Sequence, residues 1–140
     1  MDRRTRYTRI GAAASFCLLI SSMFWPWTSR GTGSSVPGHR LAALVLEGRT
    51  DVWVPRWVGL ALFVVPLSGC VGLASLAFVS RAWRIARISA IAAAATGTLL
   101  LLGLLHRLSI DGIGRGGALA LGGTIGAAAC VSLGVEVASR

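Results

Sequence analysis

The chain has 140 residues, room for one domain, and its 54% hydrophobic content and mean hydropathy of +0.72 place it outside the range of ordinary soluble domains. All fourteen basic residues are arginine, set against five acids for a formal charge of +9, and lysine, asparagine and glutamine are absent. The arginines flank apolar runs rather than gather on one polar face, which excludes a nucleic-acid partner and points to the membrane. The missing residue types use A-rich codons, so the composition also points to a GC-rich, actinobacterial genome.

The first nine residues carry Arg3, Arg4, Arg6 and Arg9 against Asp2 alone, and an apolar run follows. A first span over about 10–27 is expected. No A-x-A-like site follows it, and Phe16 precedes Cys17 where a lipoprotein signal wants a small residue, so the run reads as an uncleaved span. Trp25 and Trp27 then read as interfacial anchors at the headgroup level, with Pro26 ending the helix.

Residues 28–56 form the expected external loop. Its first half is rich in Gly and Ser, whereas Leu41, Leu44 and Val45 share a helical face between His39 and Glu47, and Gly48 is placed to end the turn. A short surface helix is expected there. Trp53 and Trp57 bracket Pro55 and Arg56 and mark the return to the bilayer.

The second span is expected over 57–80, with Pro66 near its middle and a small face at Ser68 and Gly72. Arg81, Arg84 and Arg87 follow at three-residue spacing as a basic inner connection suited to anionic lipid headgroups. The third span, 88–105, is small-residue rich at first, and Ala93 and Gly97 are candidates to face the last span. In the next loop, Gly112 to Gly117 mimics part of a dinucleotide fingerprint, but no strand precedes it, so turn flexibility is the reading adopted.

The last span, 116–137, holds no charge before Glu136. Ala118, Gly122, Gly126, Cys130 and Gly134 recur every fourth residue and make a stripe of small side chains on which another helix can approach closely. Cys17, Cys70 and Cys130 are odd in number and lack a C-x-x-C pair, so they read as small buried hydrophobes and not as a redox centre.

These elements predict an all-α integral membrane four-helix bundle with both termini cytoplasmic. Eight arginines (Arg3, Arg4, Arg6, Arg9, Arg81, Arg84, Arg87, Arg140) fall inside on that arrangement, and six (Arg30, Arg40, Arg49, Arg56, Arg107, Arg115) fall outside in longer loops. Pro26 and Trp27 closing the first span, the basic turn at Arg81 to Arg87, and the Gly/Ala-rich last span carry a further likeness. In that order of features the chain resembles a loose group of uncharacterised small four-span actinobacterial membrane proteins. The resemblance implies the same topology.

No span carries a carboxylate, guanidinium or imidazole at its middle. Proton- and ion-coupled transport usually needs such a group at depth, so that class is disfavoured. His39, Glu47, Asp51, His106 and Asp111 fall in outer segments without a ligand spacing, and neither a metal nor a haem held by His39 and His106 is expected. Ser109, His106 and Asp111 make no triad, because no elbow or oxyanion framework accompanies them. No cofactor and no enzymatic activity are expected. The expected role is a non-catalytic accessory or assembly subunit of a larger inner-membrane complex, whose partners are membrane lipids and other membrane subunits or a second copy. A small oligomeric transporter or channel, lined by Ser, Thr and backbone, is the alternative.

Overall fold

The computed structural model describes residues 3–29, 34–49, 55–78, 80–107 and 113–138. They form five helices and a 3₁₀ turn: α1 (Arg3–Ser21), the turn Ser22–Phe24, α2 (Gly38–Glu47), α3 (Arg56–Ser75), α4 (Arg81–Arg107) and α5 (Arg115–Ala138). Among the described residues there is no strand, only an isolated bridge between Thr28 and Ile113. Four apolar stretches within these helices (Arg6–Phe24, Arg56–Ser75, Arg81–Gly103 and Arg115–Leu133) are long enough to cross a bilayer. At roughly 1.5 Å per residue, each matches a hydrocarbon core of roughly 30 Å. The chain is a multi-pass membrane protein by that measure.

The arrangement follows from which residues turn inward. On α3, Val58, Ala61, Val65, Ser68, Gly69, Gly72 and Ser75 are buried, whereas Leu60, Phe63, Leu67 and Val71 point away from the bundle. Small and hydroxylated residues share the inward face with Val58, Leu62 and Val65, while bulky apolar residues also cover the outside, a reversal of the polar exterior of a soluble bundle. That reversal suits helices whose outer surroundings are as apolar as leucine, so association rests on close packing. Helix α1 packs on α5 and α3, and α3 on α4, while the α4–α5 seam is the sparsest of the four. Consecutive spans are thus antiparallel neighbours, and the start of α1 and the end of α5 lie at one end of the bundle.

Some boundaries differ from the sequence expectation. Helix α1 begins at Arg3 and ends at Ser21, so its basic residues already lie on the helix. Helix α3 runs through Pro66 and stops at Ser75. Its last turn tightens, with Leu76 N–H donating to the Leu73 carbonyl (3.1 Å) and Ala77 N–H to Ala74 (3.2 Å). Helix α4 starts at Arg81, so Arg81, Arg84 and Arg87 occupy its opening turns. The helix expected after His39 is α2, which buries Ala42 and Val45 and packs on α3. Gly48 ends it with φ of +68°, a left-handed conformation natural to glycine, and its N–H returns to the helix at Val45 (3.2 Å).

Candidate functional site

With no group of three His, Cys, Asp or Glu converging among the described residues, the candidate sites are packing faces, and α5 carries the densest set. Its inward face is Gly116, Ala120, Gly123 and Ala127, all buried, followed by half-buried Cys130. A Cβ on Gly123 would lie 2.8 Å from the Ser15 carbonyl oxygen, and one on Gly116 would lie 2.7 Å from the Trp25 carbonyl oxygen. These contacts are with backbone, so α1 and α5 approach as closely as glycine alone permits.

The expected stripe is divided by this geometry. Gly126 is half-buried with Ser15 Oγ against it, and Cys130 Sγ sits beside Gly11. Ala118 and Gly122 face away from the bundle, and a Cβ on Gly122 would meet nothing within 4 Å. Gly134 lies in the last turns of α5, and its surroundings fall outside the described residues. A strict four-residue spacing advances about 40° per step on a 3.6-residue helix, so it winds off any straight neighbour. The face that packs alternates steps of four and three, as 116, 120, 123, 127 and 130 do.

The other small positions serve α3 rather than α5. Gly97 is buried against Val65 of α3, not against the last span, and Ala93 beside it is half-buried. Gly72 is buried under the Phe16 ring of α1, and Gly69 lies under Leu19 one turn away. Cys17 and Cys70 are exposed on the outer surface of the bundle, not buried as expected; of the three thiols only Cys130 packs inward.

At the end opposite the termini, Trp25 to Thr28 forms an organising strap. Gly114 N–H donates to the Trp27 carbonyl (2.8 Å), Gly116 N–H to Pro26 (2.8 Å) and Gly38 N–H to Trp25 (3.3 Å). The strap therefore ties the starts of α2 and α5 to the end of α1. Trp27, expected at the headgroups, is 1% exposed instead, and its Nε1 donates to the Ser22 carbonyl at 3.1 Å. Glycines at 38, 116 and 117 clear the space its indole fills. Trp25 and Trp57 remain partly exposed, with the Arg115 guanidinium 5.6 Å from the Trp25 ring. Trp53 lies outside the described residues. The glycines read as a flexible turn, Gly114, Gly116 and Gly117, in fact serve close approach. Their signal was the Trp-Pro-Trp strap with which they pair.

Hydroxyls in the bundle are returned to their own helices: Ser15 Oγ donates to Gly11 (2.8 Å), Ser68 to Val65 (2.6 Å), Ser75 to Gly72 (2.6 Å) and Thr124 to Ala120 (2.9 Å). Thr98 of α4 differs. Its side chain is 1% exposed, and its hydroxyl has no hydrogen-bond partner among the described residues. His39 Nδ1 lies 3.4 Å from the Met23 carbonyl, and its ring tilts against Phe24. No group of three His, Cys, Asp or Glu converges among the described residues; Asp51 and Asp111, and the side chain of His106, fall outside them.

No family model, curated protein or solved structure matches the chain.

At the end carrying the termini, Arg81 and Arg84 are exposed and Arg87 is half-buried. Arg87 Nη2 donates to the Phe78 carbonyl (2.9 Å), and Arg9 Nη2 of α1 donates to the Leu76 carbonyl (2.5 Å). Cations thus meet the carbonyl-rich end of α3, where the helix dipole favours positive charge. Arg9 was not singled out as a site residue in the sequence, because nothing local to it announces contact with a helix 67 residues away.

Proposed function

We propose that this protein is a non-catalytic accessory or assembly subunit of a larger bacterial inner-membrane complex, with both termini cytoplasmic and no cofactor. The observation that carries the reading is the second face of α5. Ala118, Gly122, Ile125, Ala129 and Ser132 all point away from the bundle, at alternating four- and three-residue steps. This face repeats the inward pattern with mostly small side chains, after the inward one has already been used on α1. A lone bundle has no packing need for it, whereas a docking helix does. Orientation is supported by Arg6, Arg9, Arg81, Arg84 and Arg87, which crowd the termini end close to the spans.

Gly122→Leu tests the reading better than a change at Gly126, because Gly122 borders open space and Gly126 borders Ser15. The variant is expected to fold and to lose a co-purifying membrane protein that wild type retains in mild detergent. Wild type purifying alone, or the variant keeping the same partner, sinks the subunit role.

A small oligomeric transporter or channel is the second reading, favoured by the unpartnered Thr98 hydroxyl inside the bundle. Solute flux through purified protein in liposomes that falls with Thr98→Val would replace the first reading with this one.

A further inference from the structure

The described residues at the termini end hold several arginines; two of them converge, and a third lies one turn away. Arg9 of α1 and Arg87 of α4 both reach carbonyl oxygens in the turn that closes α3, at Leu76 and Phe78. Arg84 stands three residues before Arg87 on α4, so the two side chains leave neighbouring turns of one helix face. Among the described residues no carboxylate pairs with any of the three; the ion pair found there, Arg49 with Glu47, involves α2 and the residue after it. The Arg87 Nε is enclosed and has no acceptor among the described residues. Like charges at this range repel, and burial against a helix end weakens the screening that would relieve them. Asp2 and the side chain of Glu136 lie outside the described residues; among those described, only a counter-anion from outside resolves both problems. Guanidinium forks suit a phosphate, since each offers several donors in a plane.

The surroundings name the source of that phosphate. Phe78 and Trp83 stack at 4.4 Å between ring centres beside the cluster, an aromatic pair of the kind found at headgroup level. Ile85 and Ile88 are 61% and 58% exposed, and Ile88 lies one turn beyond Arg84 on the same face of α4. Charge followed directly by exposed apolar surface fits a headgroup with acyl chains attached, and free phosphate uses only the first half.

We propose that Arg9, Arg84 and Arg87 form a seat for the phosphate of an anionic phospholipid, whose chains run along Ile85 and Ile88. The seat does not depend on whether another subunit docks on α5.

Native mass spectrometry of the full chain in micelles tests this, with phosphatidylglycerol, phosphatidylcholine of the same chains, and inorganic phosphate as probes. Wild type is expected to retain phosphatidylglycerol over phosphatidylcholine by roughly tenfold or more, the size that one or two arginines near an anionic headgroup supply. Arg84→Gln should cut that preference severalfold, and Arg9→Gln with Arg87→Gln should abolish it. Because Arg9 and Arg87 also hold the end of α3, Arg84→Gln is the decisive variant: its side chain makes no hydrogen bond among the described residues, so loss of binding there is not loss of fold. Equal retention of the two lipids, or a preference that Arg84→Gln leaves intact, overturns the proposal. Displacement of the bound lipid by millimolar inorganic phosphate, with Ile85→Ser and Ile88→Ser without effect, overturns the lipid assignment in favour of a soluble anion.

Discussion

Trp27 shows what a single side chain contributes here. Its indole is buried, its Nε1 is satisfied by the Ser22 carbonyl, and Gly38 and Gly116 crowd it. Trp27→Phe removes one hydrogen bond and is expected to cost about 1 kcal/mol, whereas Trp27→Ala leaves a cavity and is expected to cost about 3–5 kcal/mol. Unfolding in mixed micelles, followed by helical circular dichroism, reads both. A paired comparison on α5 separates close approach from helix propensity. Gly116→Val would drive a side chain into the Trp25 and Ser22 carbonyl oxygens, which are backbone and cannot turn aside. It is expected to destabilise by about 1–3 kcal/mol. Gly122→Ala faces open space and should stay within about 0.5 kcal/mol of wild type. Equal losses at the two positions would mean that glycine matters in α5 for some reason other than contact.

Much of α5 was legible in the sequence, though its orientation was not. Freedom from charge until Glu136 and the wealth of Gly and Ala announce a span built for close packing. Which of two small-residue faces meets α1 cannot be read from α5 alone, because both contain glycines at helical spacing. The choice depends on α1, where Ala12, Ser15, Phe16 and Leu19 form the buried face and set the register. Burial of Trp27 was hidden for the same reason: a tryptophan at a span end looks like an anchor until a second segment closes over it. The register itself is open to test. A Cβ at Gly11 would lie 2.7 Å from Cys130 Sγ, near enough for a disulfide. Gly11→Cys is therefore expected to oxidise with Cys130, seen as the loss of two hydrogens in the intact mass of a monomer. Cys17 and Cys70 do not compete, as both face outward. A Gly11→Cys protein that stays reduced, or that cross-links only between copies, would contradict the packing of α1 on α5.

Four spans in alternating directions followed from apolar length and from where the arginines fall, whereas the α4–α5 seam and the strap at Trp25 to Thr28 depend on contacts between distant segments. The alternation makes a claim about sidedness that thiol chemistry can check. Ala43 on α2 and Ala82 at the start of α4 are both exposed and uncharged, so cysteine at either leaves the arginine distribution intact. Native Cys17 and Cys70 lie on the outer surface of apolar spans. Lipid around them bars a charged reagent. Wild-type cells should thus give little background with a membrane-impermeant maleimide. Ala43→Cys is expected to label on cells whose membrane is intact, and Ala82→Cys only after that membrane is opened. Labelling of both, or of Ala82→Cys alone, on intact membranes would reverse or abolish the orientation that the arginines favour. Strong labelling of Cys17 and Cys70 in wild type would go further, because thiols wet by water at those positions are incompatible with α1 and α3 lying in lipid.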